Sequence, residues 1–306
     1  MALADVPVPH AAGGNVLVKV THCAVCRTDA KMWRIGHRDL HLPRVLGHEI
    51  CGVQASGRRV VVWPGRACGR CDACRCGAEN LCSAMRITGF HEDGGFAEYV
   101  RAPESSLLEV PEDLPGEVAA LAEPLACTVN ALEQLGVGAG EQVLIHGAGP
   151  VGLLAAVAVR ARGARPVIHE IEPERRRSVQ PFCRMIDASD RQEAGVDAAL
   201  NAAPSTAAML DGLARLRSGG RFCLFSGLTD DQRVPSGVLN EIHYRQLRVS
   251  GAYGCTRSQM TRALEILSDF RPAAEWLIEA RIPLSAVPSV LPRVAEGRAM
   301  KTIVVF

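Results

Sequence analysis

Residues 142–152 read QVLIHGAGPVG, and this stretch decides the fold of the middle of the chain. Five residues of strand-like composition run into Gly147-Ala148-Gly149-Pro150-Val151-Gly152, a G-x-G-x-x-G motif, and an apolar helical segment follows. In this motif the first glycine permits a tight turn, the second lets a pyrophosphate approach the backbone, and the third lets the helix pack on the strand. The first N–H groups of the helix would bind the phosphates. The stretch therefore predicts a dinucleotide-binding βαβ unit, with this whole turn at the coenzyme.

An acidic residue stands where the ribose of a dinucleotide would lie. Glu170 is eighteen residues beyond Gly152, at the end of the segment RPVIHE, and its carboxylate could accept hydrogen bonds from both ribose hydroxyls. This favours NAD over NADP. The basic run Arg175, Arg176 and Arg177 leaves NADP open, because it could hold a 2′-phosphate. A solvated helix start is the other interpretation of that run.

The segments around this unit predict two domains of different texture. After Pro115, alanine-rich helical segments alternate with brief strands such as RPVIHE, VDAALN and RFCLFSG, and such a series builds a doubly wound parallel sheet. Between Asn15 and Glu109, short β-type runs such as NVLVKVTH and RRVVVWPG indicate an irregular β-rich domain. The fold class is therefore α/β, and 306 residues suit two domains. The closing strand MKTIVVF could join either domain.

Composition favours a small-molecule partner. The chain has 34 basic and 33 acidic residues and a net charge of +1, so neither nucleic acid nor an anionic membrane surface is indicated. The apolar run Val151–Val159 is far shorter than the ~20 residues of a membrane-spanning helix. The opening MALADVPVPH lacks a basic region followed by an apolar one. With twelve cysteines in a chain of this length, we expect a cytoplasmic protein with reduced thiols.

Residues 68–82, CGRCDACRCGAENLC, predict a compact metal-binding lobe. Cys68, Cys71, Cys74 and Cys82 have the spacing C-x2-C-x2-C-x7-C, and a two-residue gap lets neighbouring sulfurs converge on one tetrahedral ion. A bacterial ferredoxin motif begins in the same way, but its fourth cysteine follows after three residues and precedes a proline. Zinc is therefore favoured over an iron–sulfur cluster. Cys76 is a fifth thiol in the lobe and a possible competitor.

Several further segments resemble the zinc-dependent medium-chain alcohol and polyol dehydrogenases of the sorbitol dehydrogenase type. HCAVCRTDAKMW, VLGHE, the cysteine lobe, DGGFAEYV, ALAEPLACTVNAL and GAGPVG occur in the family's order, and the resemblance covers essentially the whole chain. It implies a GroES-like β-rich catalytic domain of residues 1–122 and 258–306, with the lobe at 68–82. It further implies a Rossmann coenzyme domain of residues 123–257. Two zinc ions per chain, NAD and assembly into a homodimer or homotetramer are also implied.

The resemblance assigns metal ligands residue by residue. Cys26 and His48 would bind a catalytic zinc ion, and Glu123 would be the third ligand, as in polyol dehydrogenases. Three protein ligands would leave the open position that a catalytic zinc needs. Glu49 would be an alternative ligand or a neighbour that supports the site. Asp29 resembles the carboxylate that orients the zinc-bound histidine.

Proton transfer and coenzyme binding receive candidates from the same resemblance. Thr28 resembles the hydroxyl that passes on the substrate proton, and Lys31 stands where many members carry a relay histidine. Arg27 and Lys301 resemble basic residues that contact the pyrophosphate. Arg175 resembles the basic residue beside the adenosine ribose.

The resulting hypothesis is a zinc- and NAD-dependent oxidoreductase that interconverts a secondary alcohol and its ketone, with a polyol, sugar or cyclitol as substrate. A weaker set of polar residues is a candidate pocket rim: Trp33, His37, Arg38, His91 and Tyr253. One alternative is a biosynthetic NAD(P)-dependent dehydrogenase or reductase for a dedicated intermediate, such as an aminocyclitol or a tetrapyrrole side chain. Others are a non-catalytic coenzyme-binding protein and an iron–sulfur electron carrier.

Overall fold

The computed structural model describes residues 1–190 and 195–306. In these residues the strands are β1 Asn15–Ala24, β2 Glu49–Gln54, β3 Arg59–Val62, β4 Gly65–Arg66, β5 Arg86–Ile87, β6 Tyr99–Pro103, β7 Leu107–Glu109, β8 Gln142–His146, β9 Arg165–His169, β10 Val196–Asn201, β11 Leu216–Leu224, β12 Arg248–Gly251, β13 Ile278–Ile282 and β14 Lys301–Val305.

The helices follow the same chain order. They are α1 Arg27–Ile35, α2 Asp72–Arg75, α3 Gly116–Ala119, α4 Ala122–Leu135, α5 Pro150–Ala161, α6 Pro173–Ser178, α7 Gln180–Met185, α8 Thr206–Arg215, α9 Ser236–Tyr244, α10 Arg257–Asp269, α11 Arg271–Trp276 and α12 Val287–Ala295. Across the described ranges, no helix has the length and apolar character needed to cross a bilayer.

The chain divides into two compact units, residues 1–126 with 255–306, and residues 127–254. The sequence placed the first boundary at 122/123 and the second at 257/258. The structural division falls inside α4, which is one continuous helix. A helical sequence pattern carries no signal for a boundary within it.

The first unit is built on a mixed sheet in which β13, β14, β1, β2, β3 and β7 are neighbours in that order, and β6 also pairs with β1. Most pairs are antiparallel, whereas β13 and β14 run parallel. The closing strand β14 therefore joins the β-rich unit. Valines at alternate positions of β1, Val18 and Val20, are fully buried, as expected for a strand with one face on the core.

The register of three strands in this sheet brings distant parts of the sequence together. Ala24 at the end of β1 is paired with Glu49 at the start of β2 and with Ile303 of β14. Cys26 follows β1 directly, and His48 directly precedes β2. Because antiparallel partners place the end of one strand beside the start of the next, residues 26, 48 and 301 meet at one edge of the sheet.

The second unit is a parallel sheet with the strand order β12-β11-β10-β8-β9. Helix α5 packs on β8 and β9, while α8 packs on β8, β10 and β11. Buried apolar residues such as Leu144, Val167 and Phe222 form its core. The alternation of strands and helices predicted from the sequence is confirmed, and the glycine turn lies at the carboxyl end of β8, beside both β9 and β10.

Candidate active site

Three possible metal ligands meet where β1 ends and β2 begins. One ligand atom each from Cys26, His48 and Glu49 lies within 4.8 Å of the others. Cys26 is the N-cap of α1, and its sulfur accepts a hydrogen bond from the Thr28 backbone N–H at 3.4 Å. The ring of His48 is 4% exposed. A thiolate and an imidazole that converge in a buried place are a donor set that zinc prefers.

Asp29 holds in place the segment that carries Cys26 and the segment that carries His48. Its Oδ2 accepts a hydrogen bond from the Cys26 backbone N–H at 2.9 Å, and its Oδ1 accepts one from the Gly47 backbone N–H at 3.2 Å. Oδ1 also lies 3.2 Å from Nδ1 of His48. The carboxylate is completely buried. The Asp29 carboxylate therefore lies against Nδ1 of His48, which makes no hydrogen bond in the described residues, and Nε2 is the ring nitrogen left for a metal. A carboxylate beside the other ring nitrogen is common in zinc proteins.

The charge on His48 depends on the same neighbours. Burial lowers its pKa, but the charge of Asp29 and contacts with Asp29 and Cys26 outweigh burial and raise the pKa well above the ordinary value. In the metal-free chain the ring therefore favours a proton. A metal ion at Nε2 would replace that proton, since a ligating imidazole must be neutral at the nitrogen that binds.

Lys301 forms a buried ion pair with Glu49 at the edge of this group. Its Nζ lies 2.6 and 2.5 Å from the two carboxylate oxygens, and both side chains are almost fully buried. Burial lowers the pKa of Lys301, but the charges of Glu49, Cys26 and Glu123 raise it above the ordinary value. The Nζ assigned to the coenzyme pyrophosphate by resemblance is thus bonded to a carboxylate of its own unit.

Glu123, the proposed third ligand, is not part of the group formed by Cys26, His48 and Glu49. A carboxylate oxygen of Glu123 lies within 4.8 Å of the Cys255 sulfur instead. Its charge nevertheless reaches Lys301. The residue is 8% exposed and stands in the first turn of α4. The structure thus brings together Cys26, His48 and Glu49, with Glu123 nearby.

The remaining candidates of this unit lie on or beside α1. Thr28 is half-buried, next to Cys26, whereas Lys31 and Arg27 are exposed. Around His48, the edge of the Phe90 ring faces the imidazole at a centroid distance of 5.2 Å, and His37 packs on Phe90 at 5.4 Å. His37 is therefore one aromatic ring away from a candidate ligand, and Phe90 is a wall residue that the sequence analysis missed.

The cysteine lobe has the geometry of a four-thiolate site. One sulfur each from Cys68, Cys71, Cys74 and Cys82 lies within 4.8 Å of the others. The sulfur of Cys74 lies 3.4 Å from that of Cys71 and 4.0 Å from that of Cys68. A tetrahedral ion with Zn–S bonds of about 2.3 Å places its sulfurs about 3.8 Å apart. The four predicted ligands therefore fit zinc.

Backbone amides of the lobe favour the thiolate form. The N–H groups of Cys68 and Cys71 donate to the sulfurs of Cys82 and Cys68 at 3.3 and 3.4 Å. A hydrogen bond from the Cys74 backbone lowers the pKa of Cys71 to about 6, whereas burial and the contact with Cys71 raise the pKa of Cys74 to about 12. Thiolate is the form that binds metal. Cys76 ends α2, is exposed and lies outside the group of four.

In the second unit, the glycine turn has the shape that a dinucleotide needs. Gly147 has a φ of +101°, which residues with side chains rarely adopt. A Cβ on Gly152 would lie 1.9 Å from the Gly147 carbonyl oxygen, whereas a Cβ on Gly149 would meet nothing within 4 Å. The backbone at Gly149 is therefore open to a ligand. Val151 and Gly152 follow in the first turn of α5, where backbone N–H groups lack intrahelical acceptors.

Glu170 lies beside this turn, just after β9. Its Oε2 accepts a hydrogen bond from the Ala148 backbone N–H and its Oε1 accepts one from the Glu172 backbone N–H, both at 2.8 Å. The side chain is fixed against the coenzyme turn. Of the basic run in α6, Arg175 is half-buried, while Arg176 and Arg177 are exposed. The last two match the solvated helix start.

Known proteins resemble this chain in sequence and in fold. The model of the alcohol dehydrogenase GroES-like domain matches residues 12–112. The chain is 30% identical to an L-galactonate-5-dehydrogenase of Escherichia coli K12 over 94% of this chain and 90% of the relative. It is 34% identical to a D-altritol 5-dehydrogenase of Agrobacterium fabrum over 92% and 89%. A structure from Sinorhizobium meliloti 1021, bound to NADP, has a TM-score of 0.85 and 28% identity and covers 98% of this chain and 94% of its own.

The chain belongs to the zinc-type alcohol dehydrogenase family. It is an oxidoreductase that acts on CH–OH groups, and the predicted fold class, a GroES-like β-rich domain with a Rossmann coenzyme domain, is confirmed. The predicted interconversion of a secondary alcohol and a ketone, with zinc and a nicotinamide coenzyme, is confirmed at the level of the family. The non-catalytic alternative and the electron-carrier alternative do not fit this family.

Proposed function

We propose that this chain is a zinc- and NAD-dependent dehydrogenase of polyols or sugar acids, which oxidises a secondary hydroxyl to a ketone. The observation that carries the proposal is the group of half-buried Cys26 and buried His48, with Asp29 against both segments and the Glu49 carboxylate beside them. The relatives support the substrate class, because L-galactonate and D-altritol both carry a chain of secondary hydroxyls and are the named substrates of proteins 30% and 34% identical to this chain. A biosynthetic intermediate of similar polarity is the alternative.

Held by Cys26 and His48, zinc would supply Lewis acidity at the alcohol oxygen, and NAD at the glycine turn would supply the hydride acceptor. The chain's own residues bind and orient. Asp29 bonds to the backbone of Cys26 and lies at Nδ1 of His48, so it fixes the spacing of the two ligands. The Thr28 hydroxyl, two residues beyond Cys26, is the proposed relay, which accepts the substrate proton and donates its own hydroxyl proton. Lys31, exposed on the next turn of α1, would accept that proton as the neutral amine and release it to solvent.

Glu123 is the proposed third ligand, with Glu49 as the neighbour that supports the site. Lys301 bonds to both oxygens of Glu49, and breaking a buried pair leaves an uncompensated charge. Glu49 is therefore held by Lys301, while Glu123 has a carboxylate close enough to act on the same lysine. Glu123→Gln should remove one zinc ion per chain, whereas Glu49→Gln should keep it.

NAD is the proposed coenzyme, although the Sinorhizobium meliloti protein binds NADP. Both oxygens of Glu170 are bonded to backbone N–H groups at the turn, which fixes a negative charge where a 2′-phosphate would lie. The negative charges of the Glu170 carboxylate and of a 2′-phosphate beside it would repel each other. Arg27 and Arg175 are the proposed basic residues at the pyrophosphate and the adenosine ribose, whereas the Nζ of Lys301 is bonded to Glu49.

We also propose a homodimer or homotetramer in the cytoplasm. Strand β12 is an edge of the parallel sheet, its Val249 is 49% exposed, and Leu239 and Tyr244 of the preceding helix α9 are 57% and 74% exposed. An unpaired edge with apolar neighbours favours pairing with a second copy. None of the twelve cysteines, all of which lie in the described residues, forms a disulfide bond, as in a reducing compartment.

The first experiment is elemental analysis of zinc and iron on the wild type, Cys26→Ser and Cys76→Ser, together with a screen of polyols and sugar acids against NAD and NADP. We expect two tightly bound zinc ions in the wild type and in Cys76→Ser, one fewer in Cys26→Ser, and no iron. NAD reduction should vanish only in Cys26→Ser.

Two results would contradict this proposal. If Cys26→Ser keeps both the zinc and the turnover of the wild type, the catalytic metal does not lie at Cys26. If wild type reduces NADP faster than NAD, Glu170 does not decide the coenzyme. Cys76 is the matched control because it is an exposed thiol outside the group of four ligands.

A further inference from the structure

A second group of possible metal ligands lies under the glycine turn of the coenzyme unit. One ligand atom each from His146, His169 and Asp211 lies within 4.8 Å of the others. His146 ends β8, His169 ends β9, and the two residues are paired in register, so their side chains leave the same face of the sheet. Asp211 reaches them from α8. None of the roles proposed above uses these three side chains.

His146 is incompletely satisfied by its protein neighbours. Its Nε2 lies 2.8 Å from Oδ2 of Asp211, and its ring is 3% exposed. Within the residues that the structure describes, its buried Nδ1 has no hydrogen-bond partner. When Nε2 donates to the carboxylate, Nδ1 presents a lone pair without a donor, and a buried polar atom in that state is costly.

Neighbouring contacts place the other two side chains beside the His146 ring. Arg215 donates from Nε to the same Oδ2 at 2.7 Å and fixes the carboxylate. His169 lies at a ring-centroid distance of 5.2 Å from His146, with 31° between the planes.

We propose that His146, His169 and Asp211 bind a divalent transition-metal ion, separate from the two zinc ions of the first unit. Two imidazoles and one carboxylate are a ligand set that such ions prefer. His169 and Asp211 are half-buried, so two of the three side chains are partly exposed to solvent.

The site lies directly against the coenzyme turn. The Gly147 backbone N–H donates to the His169 carbonyl oxygen at 2.8 Å, and His146 immediately precedes Gly147. An ion bound by both rings would therefore hold together the ends of β8 and β9, which support the glycine turn. This role is structural, and it adds nothing to the transfer of hydride.

The test is equilibrium dialysis of the full-length protein against buffered Zn²⁺, followed by counting zinc per chain. The variants are His169→Ala, Asp211→Asn and the control His243→Ala, which removes an exposed histidine from the same unit. We expect wild type and His243→Ala to bind one zinc ion more than the other two variants. The same two variants should lose the rise in the midpoint of thermal unfolding that added Zn²⁺ produces.

Equal zinc binding by all four proteins would overturn the proposal and would indicate adventitious binding only. Absence of an additional ion in the wild type would overturn it as well, and His146 would then be a hydrogen-bonded core residue. Circular dichroism before metal is added confirms that each variant is folded. The test does not depend on the proposed zinc sites of the first unit, because their ligands are the same in all four proteins. Only the difference in zinc per chain between these proteins is interpreted.

Discussion

Two alanine substitutions in the glycine turn should separate coenzyme binding from folding. Gly149 has a φ of −76° and a ψ of 175°, which alanine adopts readily, and an added Cβ meets nothing within 4 Å. Alanine is a poorer N-cap than glycine by up to about 1 kcal/mol. It also lowers the entropy of the unfolded chain, which gains about 0.4–1 kcal/mol. Gly149→Ala should therefore change the free energy of unfolding by less than about 0.5 kcal/mol.

Gly152→Ala should do the opposite. Its Cβ would lie 1.9 Å from the Gly147 carbonyl oxygen, so α5 or the turn must move by about 1 Å to reach a normal contact. Overpacking against backbone costs about 3 kcal/mol, and the better helix propensity of alanine returns about 1 kcal/mol. The net loss is about 2 kcal/mol, or roughly 5 °C in the midpoint of thermal unfolding.

The assay pairs urea unfolding with a fluorescence titration of NADH. Gly149→Ala should unfold like the wild type but bind NADH at least about tenfold more weakly, or about 1.4 kcal/mol, since the methyl group stands where the pyrophosphate approaches the backbone. If this variant binds NADH as tightly as the wild type, no coenzyme lies against this turn. If Gly152→Ala is as stable as the wild type, α5 and the Gly147 carbonyl group do not lie as close together as described.

Three further predictions concern the first unit. Cys74→Ser should lose one zinc ion per chain and several degrees of thermal stability, while Cys76→Ser in the same lobe keeps both, as elemental analysis and thermal unfolding would show. Glu49→Gln should lower the free energy of unfolding in urea by about 3–5 kcal/mol, because Lys301 is left buried without its partner; a loss below 1 kcal/mol would mean that water reaches the lysine. A hydrogen bond from Arg281 lowers the pKa of Glu117. The contribution of this ion pair to the free energy of unfolding is therefore complete above about pH 4.3, and it disappears as the pH falls through the lowered pKa. The difference in unfolding midpoint between wild type and Glu117→Gln should therefore shrink towards pH 3, and a constant difference would argue against this ion pair.

Local patterns in the sequence were sufficient for much of the fold. The βαβ series follows from strands such as β8, whose residues Val143, Leu144 and Ile145 are all buried, and from the glycines that end them. The lobe was predicted because its four ligands lie within 15 residues, where spacing limits geometry. In both cases the contacts are short-range, and the residue types alone define them.

Contacts between distant residues could not be predicted in the same way. The pair of Lys301 with Glu49 joins residues 252 positions apart, and no pattern in either segment indicates the other. Resemblance assigned Lys301 to phosphate, whereas the register of β14 on β1 places it at a carboxylate. Asp211 and His146 have the same problem, because each looks ordinary in its own element and the pair exists only after α8 packs on the sheet.

The long separation between Glu49 and Lys301 has a consequence for how the protein folds. The sheet of the first unit is complete only after β14 pairs with β1, and the entire second unit lies within that loop. Closing a loop costs about 0.6 kcal/mol for each doubling of its length, and such non-local closure slows folding. In the second unit, however, Asn130 Nδ2 donates to the Gly254 carbonyl oxygen at 2.9 Å, so its two ends lie side by side. Once the second unit has folded, most residues of the loop no longer add to the entropic cost of closing it. The sheet of the first unit can then form almost as if the residues of the second unit were absent.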